Sequence, residues 1–133
     1  MVGAIADTHA VIWYLLDSPR LSNRAAAEFE RCQTAAMLIG VSSMTIIEIV
    51  YLIEMNRIPE MTLGLLKERL QQAGAPLEII PITHDIASAV QLVPRNQVPD
   101  LPDRVIAATA VCLGVPLISR DGKIRVSDVD TIW

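Results

Sequence analysis

The sequence is poor in the residues that mark several function classes at a glance. Only Cys32 and Cys112 stand in 133 residues, far apart and outside any Cys-x-x-Cys or Cys/His grouping. That argues against a disulfide scaffold and a structural zinc site, and it makes a reducing, cytoplasmic setting the default. Aromatic residues are 4% of the chain. Trp13 and Trp133 suggest no platform for stacked bases, and Ile12 and Leu16 at helical spacing assign Trp13 to a core or a dimer surface. Positive charge is not in excess either. A net charge of −4 lacks the usual footprint of a nucleic-acid binder. Long apolar runs are missing too, although 52% of residues are hydrophobic and mean hydropathy is +0.41. Glu48 interrupts MTIIEIVYLI, and Asp7 and His9 interrupt the N-terminal run, so nothing approaches the roughly 18 to 20 residues of a spanning helix. No basic n-region or small-residue cleavage site precedes that run, so no signal peptide is expected. The surplus apolar surface points instead to an oligomer or a partner-covered face.

What is present is an alternation of short apolar runs and helical patterns, without repeats or a linker, which predicts one domain over 1–133. Residues 2–6 read as a buried strand, 8–17 as a helix stopped at Ser18-Pro19, and 23–33 as a helix capped by Ser22. A strand follows at 37–41, then a helix capped by Ser42 or Ser43 and running to about Asn56. Thr62 is expected to cap a helix that Gly74 closes, before a strand at 77–82. Thr83 caps 85–92, a loop covers 94–99, and a helix starts at Asp100 or Leu101 and runs to Leu113, closed by Gly114. Strands at 115–119 and, at an edge, 129–133 complete the pattern. Such alternation predicts an α/β domain on a parallel sheet covered on both faces, whose ligands gather outside the carboxyl ends of its strands.

Four acids then become interesting. Asp7 follows the first strand, Asp121 the fourth, and Asp103 opens the helix that enters the fourth. Each has an ordinary local role: Asp7 as a helix cap, Asp121 in an Asp-Gly turn, Asp103 as a partner for the helix dipole behind an Asp100 cap. Glu48 is harder to explain locally. It sits mid-helix among apolar residues, and positions 44, 45, 51 and 52 are Met, Thr, Tyr and Leu, so no base stands at helical spacing. Carboxylates converging without bases raise one another's pKa, a conflict that an oxygen-loving divalent cation resolves. Mg²⁺ or Mn²⁺ in that position would suit hydrolysis of phosphodiesters by metal-activated water. These four acids match the whole net charge of −4, and Arg95, Arg104, Arg120, Lys123 and Arg125 are five of the eleven bases, clustered around Asp103 and Asp121. They could form a rim for a phosphate backbone, or simply be solvated surface charges.

IADTHAVIWYL, VSSMTIIEI and DLPDRVIAATAVCLGVPLISRD, in that order over nearly the whole chain, resemble the PIN domain and in particular the VapC-type toxins of toxin–antitoxin pairs. The resemblance implies a three-layer α/β/α fold with a central, mostly parallel sheet of four to five strands. It implies a Mg²⁺- or Mn²⁺-dependent endoribonuclease that dimerises and is held inactive by a cognate antitoxin protein. Carried over by position, Asp7, Glu48, Asp103 and Asp121 match the family's catalytic, metal-holding acids. Ser119 matches the small hydroxyl residue before the last acid, and Thr8 and Thr45 fall where hydroxyls stand behind the acids. Arg104, Arg120 and Lys123 are candidates for holding the RNA backbone. Asp100 belongs to an Asp-x-x-Asp pattern of some members and reads as a cap or an additional metal contact.

Other readings fit less well. A haloacid-dehalogenase-type phosphatase needs an acid where His9 stands, and a calcineurin-like phosphoesterase needs more than the two histidines present, His9 and His84. His9 reads instead as a helix-start residue at the pocket mouth and His84 as a surface residue. A receiver domain needs a Lys where LISR has none. The alternative from another class is a PIN-fold protein-binding module with little catalysis.

Overall fold

The computed structural model describes residues 1–125 and 128–133, with the side chain of Arg125, one of the bases noted above, outside the described set. Strand β1 (Val2–Ala6) leads into helix α1 (Thr8–Leu15), which starts at Asp7 because that carboxylate accepts the Ala10 N–H. Helix α2 (Asn23–Thr34) starts at Ser22 in the same way, with its hydroxyl accepting from Ala25 N–H. Strand β2 (Leu38–Ser42) passes directly into α3 (Ser43–Glu54), and Ser42 is both the last strand residue and the cap. Helix α4 (Thr62–Gln71), β3 (Leu77–Ile80) and α5 (His84–Ala89), capped by Thr83, follow. A 3₁₀ turn over Val90–Leu92 precedes α6 (Leu101–Leu113), which Asp100 caps and Gly114 closes at φ +67°, where glycine pays no Cβ penalty. The chain ends through β4 (Leu117–Ile118), a short α7 (Gly122–Arg125) and β5 (Thr131–Ile132).

Three expected boundaries are corrected. Thr62 does not cap α4; its hydroxyl donates to the Pro59 carbonyl (2.6 Å), and Met61 occupies the cap position without a side-chain bond. Gly74 does not close that helix, which ends at Gln71. Its φ of +81° serves the turn into β3. The helix expected over 85–92 ends as α5 at Ala89 and tightens into the 3₁₀ turn.

The five strands form one sheet in the order β3-β2-β1-β4-β5, and every pairing is parallel. Side chains alternate across it. Ala4, Ala6, Ile39, Val41 and Ile118 face a cluster with residues of α1 to α4, including Val11, Phe29, Ile49 and Leu66. Ile5 and Leu117 face the other way, onto α5, α6 and Ile124. Helices therefore cover both faces, giving three layers. The chain moves from β1 outward to β2 and β3, then returns to place β4 on the other side of β1. The switch point thus lies between β1 and β4, where carboxyl ends open a crevice.

Candidate active site

The crevice outside β1 and β4 is a cleft of about 520 Å³, and Asp7, Glu48, Asp100, Asp103 and Asp121 all line it. Four separate segments deliver these acids. Asp7 leaves β1 with its N–H bonded to Ile118 O of β4 (3.0 Å), which fixes the first acid to the strand that leads to Asp121. Its own carboxylate is occupied on both oxygens: Oδ1 accepts from Ala10 N–H (2.9 Å) and Oδ2 from Ser119 Oγ (2.5 Å). Helix capping and membership of the acidic cleft are thus two jobs of one side chain. Ser119 in turn accepts the Asp121 N–H (3.0 Å), so one buried hydroxyl sets the two strand-end acids together. Asp121 also accepts the Lys123 N–H (2.9 Å), which puts its side chain at the start of α7 rather than in the expected Asp-Gly turn.

Glu48 reaches the cleft from α3. Thr8 Oγ1 donates to its Oε1 (2.5 Å), and Thr8 and Thr45 hydroxyls meet at 3.1 Å. The two threonines expected behind the acids therefore form a relay between α1 and α3, buried under the glutamate. Asp100, the cap of α6, accepts the Asp103 N–H (3.1 Å), and its charge acts on the Asp103 carboxyl.

Burial pushes Asp7 above the usual carboxylate range, against the lowering effect of its Ser119 and Ala10 bonds. Burial also raises Glu48, partly offset by the Thr8 bond and reinforced by the charge of Asp100. Asp103 is pushed up to about 8, by burial first, then by Asp100 and by a hydrogen bond to the Asp121 carboxyl. Among the described residues no cation offsets this crowding at ion-pair distance, since the ion pair found there, Glu28–Arg31, lies on α2.

The donors fit a hard divalent cation: carboxylate and hydroxyl oxygens, no thiolate, and a single imidazole, His9, among the lining residues. Among the described residues no three such groups already stand as a closed ligand set. Mg²⁺ needs none, because it binds through one or two carboxylates and keeps several waters.

The bases divide differently from the sequence expectation. Arg120 lines the cleft. Arg104 is not brought there: its guanidinium donates to the Val93 and Val90 carbonyls (3.0 Å each), tying α6 to the 3₁₀ turn. Lys123 is exposed and is not among the cleft-lining residues. Arg20, which no motif singled out, is among them, carried by the break between α1 and α2. Trp13 packs against the core cluster, as expected, and also forms part of the cleft wall with His9.

A family model for the PIN domain matches residues 4–129. Ribonuclease VapC22 of Mycobacterium tuberculosis is 28% identical over 125 residues, 94% of this chain and 92% of that protein. Two solved structures share the fold. One is VapBC2 from Rickettsia felis bound to a DNA fragment from the promoter, with a TM-score of 0.71, 17% identity and coverage of 98% of this chain and 97% of the matched one. The other is DNA-bound VapBC from Salmonella typhimurium, with a TM-score of 0.72, 16% identity and the same coverage, 98% and 97%.

Proposed function

Because the chain belongs to the PIN domain family, we propose that it is a divalent-metal-dependent endoribonuclease and the toxin of a toxin–antitoxin pair. The observation that carries this reading is the convergence of Asp7, Glu48, Asp103 and Asp121 from four segments on one cleft, with no ion-paired base beside them among the described residues. The name of the mycobacterial relative supports ribonuclease chemistry, and the toxin–antitoxin complexes among the fold relatives support an antitoxin partner.

The four acids would hold Mg²⁺ or Mn²⁺, directly or through its waters. A cation bound there supplies a more acidic water and offsets charge on the scissile phosphate. The chain's own contribution is preorganisation. Ser119 holds Asp7 by its carboxylate and Asp121 by its N–H, and Thr8 holds Glu48, so these acids are oriented before any ligand enters. Arg20 and Arg120 offer positive charge to backbone phosphates at the same opening. Partners are an RNA, an antitoxin and a second copy of the chain. Exposed Ile47 and Tyr51 on α3 and Met55 at its C-terminal cap, spaced four apart, support a face that protein covers.

The test is Mn²⁺ titration followed by EPR, alongside cleavage of a total RNA pool. Asp7→Asn, Glu48→Gln, Asp103→Asn and Asp121→Asn are each expected to weaken ion binding, and Glu48→Gln to abolish cleavage while the fold survives. Ion binding indifferent to all four substitutions would sink the shared site. A Glu48→Gln chain that cleaves normally and changes only partner binding would favour the protein-binding module.

A further inference from the structure

One wall of the cleft carries a group that phosphodiester hydrolysis does not itself require. Trp13 lines the same opening as the acids and is half-buried. It packs against the core cluster, and its ring meets two tilted neighbours: His9 at 5.5 Å and 48°, and Trp133 at 5.7 Å and 58°. Neither covers its face as a stacked ring does. Tyr14 and Phe29 show the contrast, stacked at 4.2 Å and 6°. What lies over the Trp13 face is the Arg120 guanidinium, 5.5 Å from the centroid, on an exposed residue. An indole fixed in orientation by these neighbours, with a solvent-exposed planar cation over its ring, is preorganised for a flat partner at the cleft.

We propose that Trp13, together with Arg120, forms a stacking subsite for one nucleobase of a single-stranded RNA whose neighbouring phosphate lies at the acidic centre. The proposal rests on the nuclease reading and specifies its substrate class. Asp7 caps α1 and Trp13 lies on that helix, six residues on and hence about 9 Å along the axis. A rigid helix thereby sets the spacing between acids and platform. A duplex keeps its bases stacked on one another, whereas a single strand can turn one onto an indole or a guanidinium plane. Such stacking tolerates any base, because each has a π face. Arg120 would serve twice, over the ring and toward the backbone.

The experiment uses the full chain with Trp133→Phe, which leaves Trp13 as its only indole. Short oligouridylate, oligoadenylate and an abasic ribose-phosphate oligomer of equal length are titrated against its fluorescence. Both base-bearing strands should quench Trp13 and bind more tightly than the abasic one, which should leave emission unchanged. In the native background, Trp13→Leu should weaken the base-bearing strands about five- to a hundredfold, raise KM rather than lower kcat, and leave abasic binding alone. Trp13→Phe should recover part of the loss. Equal affinity for base-bearing and abasic strands would overturn the subsite, as would a Trp13→Leu loss shared equally by both, which a purely structural ring would give. A chain that cleaves RNA yet shows either result loses the subsite alone. A wild-type chain that neither binds nor cleaves any strand loses the nuclease reading with it.

Discussion

Two regions of the molecule hold carboxylates in opposite ways. On α2, Glu28 takes two hydrogen bonds from Arg31 (3.0 and 2.6 Å), and that partner keeps it below its ordinary pKa. In the cleft, Asp7, Glu48 and Asp103 are all raised, although Arg20 and Arg120 line the same opening. The fold has bases at hand there and leaves acid and base apart at ion-pair distance among the described residues. Unpaired buried carboxylates cost stability. Their persistence beside unpaired bases is what a site needs if it holds a cation with one group and a phosphate with the other.

The sharpest way to break this contrast is to neutralise one acid from each region. Asp7→Asn keeps a capping side chain but should reduce RNA cleavage by well over about a hundredfold, beyond the ten- to hundredfold typical of groups that only orient ligands. Glu28→Gln should leave cleavage within about twofold, since nothing connects that pair to the cleft. Comparable losses in the two variants, measured on the same RNA, would mean that the acids differ only in burial.

Ser119→Ala tests the hydroxyl between the strand-end acids. Both its contacts are lost, and Mn²⁺ affinity should fall about ten- to hundredfold, read by EPR. Among the bases, Arg20→Ala and Arg120→Ala should each weaken RNA binding and lower its salt slope by about one unit. Arg104→Ala should instead lower Tm without changing that slope, because its guanidinium holds Val90 and Val93 rather than RNA.

The smallest effect separates the regions by sign. Asp103 has its folded pKa raised from 3.8 to about 8. Its contribution to stability is therefore complete below the unfolded value and is lost as pH rises through about 8. Glu28, with a lowered pKa, contributes above its unfolded value and loses that contribution as pH falls through the folded one. In EDTA, Tm of Asp103→Asn should fall less than wild type between about pH 4 and 9, while Glu28→Gln should flatten only the acid side. Mn²⁺ should restore the wild-type loss at high pH by favouring the ionised acids. An Asp103→Asn profile parallel to wild type across that range would mean that the cleft does not raise Asp103.

Much of the fold was legible because its signals are local. Ser22, Thr83 and Asp100 cap as expected, since capping joins residues three apart. Thr62 looked alike in sequence, but its hydroxyl had a carbonyl within reach at Pro59 and donated instead of accepting. Glu48 stood out through the missing bases on its own helix, yet its actual partner, Thr8, comes from another element. Trp13 packs on the core as its spacing predicts, yet its second role stayed hidden for a related reason. Helical periodicity groups residues on a face and is silent about what that face meets, here a cleft. Arg104 and Arg20 exchanged places for want of any signal at all, because a charged residue's sequence neighbours do not reveal which way it points.

The chain by itself determined its strands, helices, most of its caps and the identity of its unusual acids. Each of these depends on neighbours within a turn or on alternation along one strand. Only the tertiary structure decided that β4 returns to the far side of β1, which brings Ser119 onto Asp7 across 112 residues. It alone gathered four carboxylates from separate segments at one cleft and, by burial, raised Asp7, Glu48 and Asp103. Strand order follows from packing helices over both faces of a whole sheet, and desolvation from the burial that packing creates. Neither quantity exists in any segment taken alone.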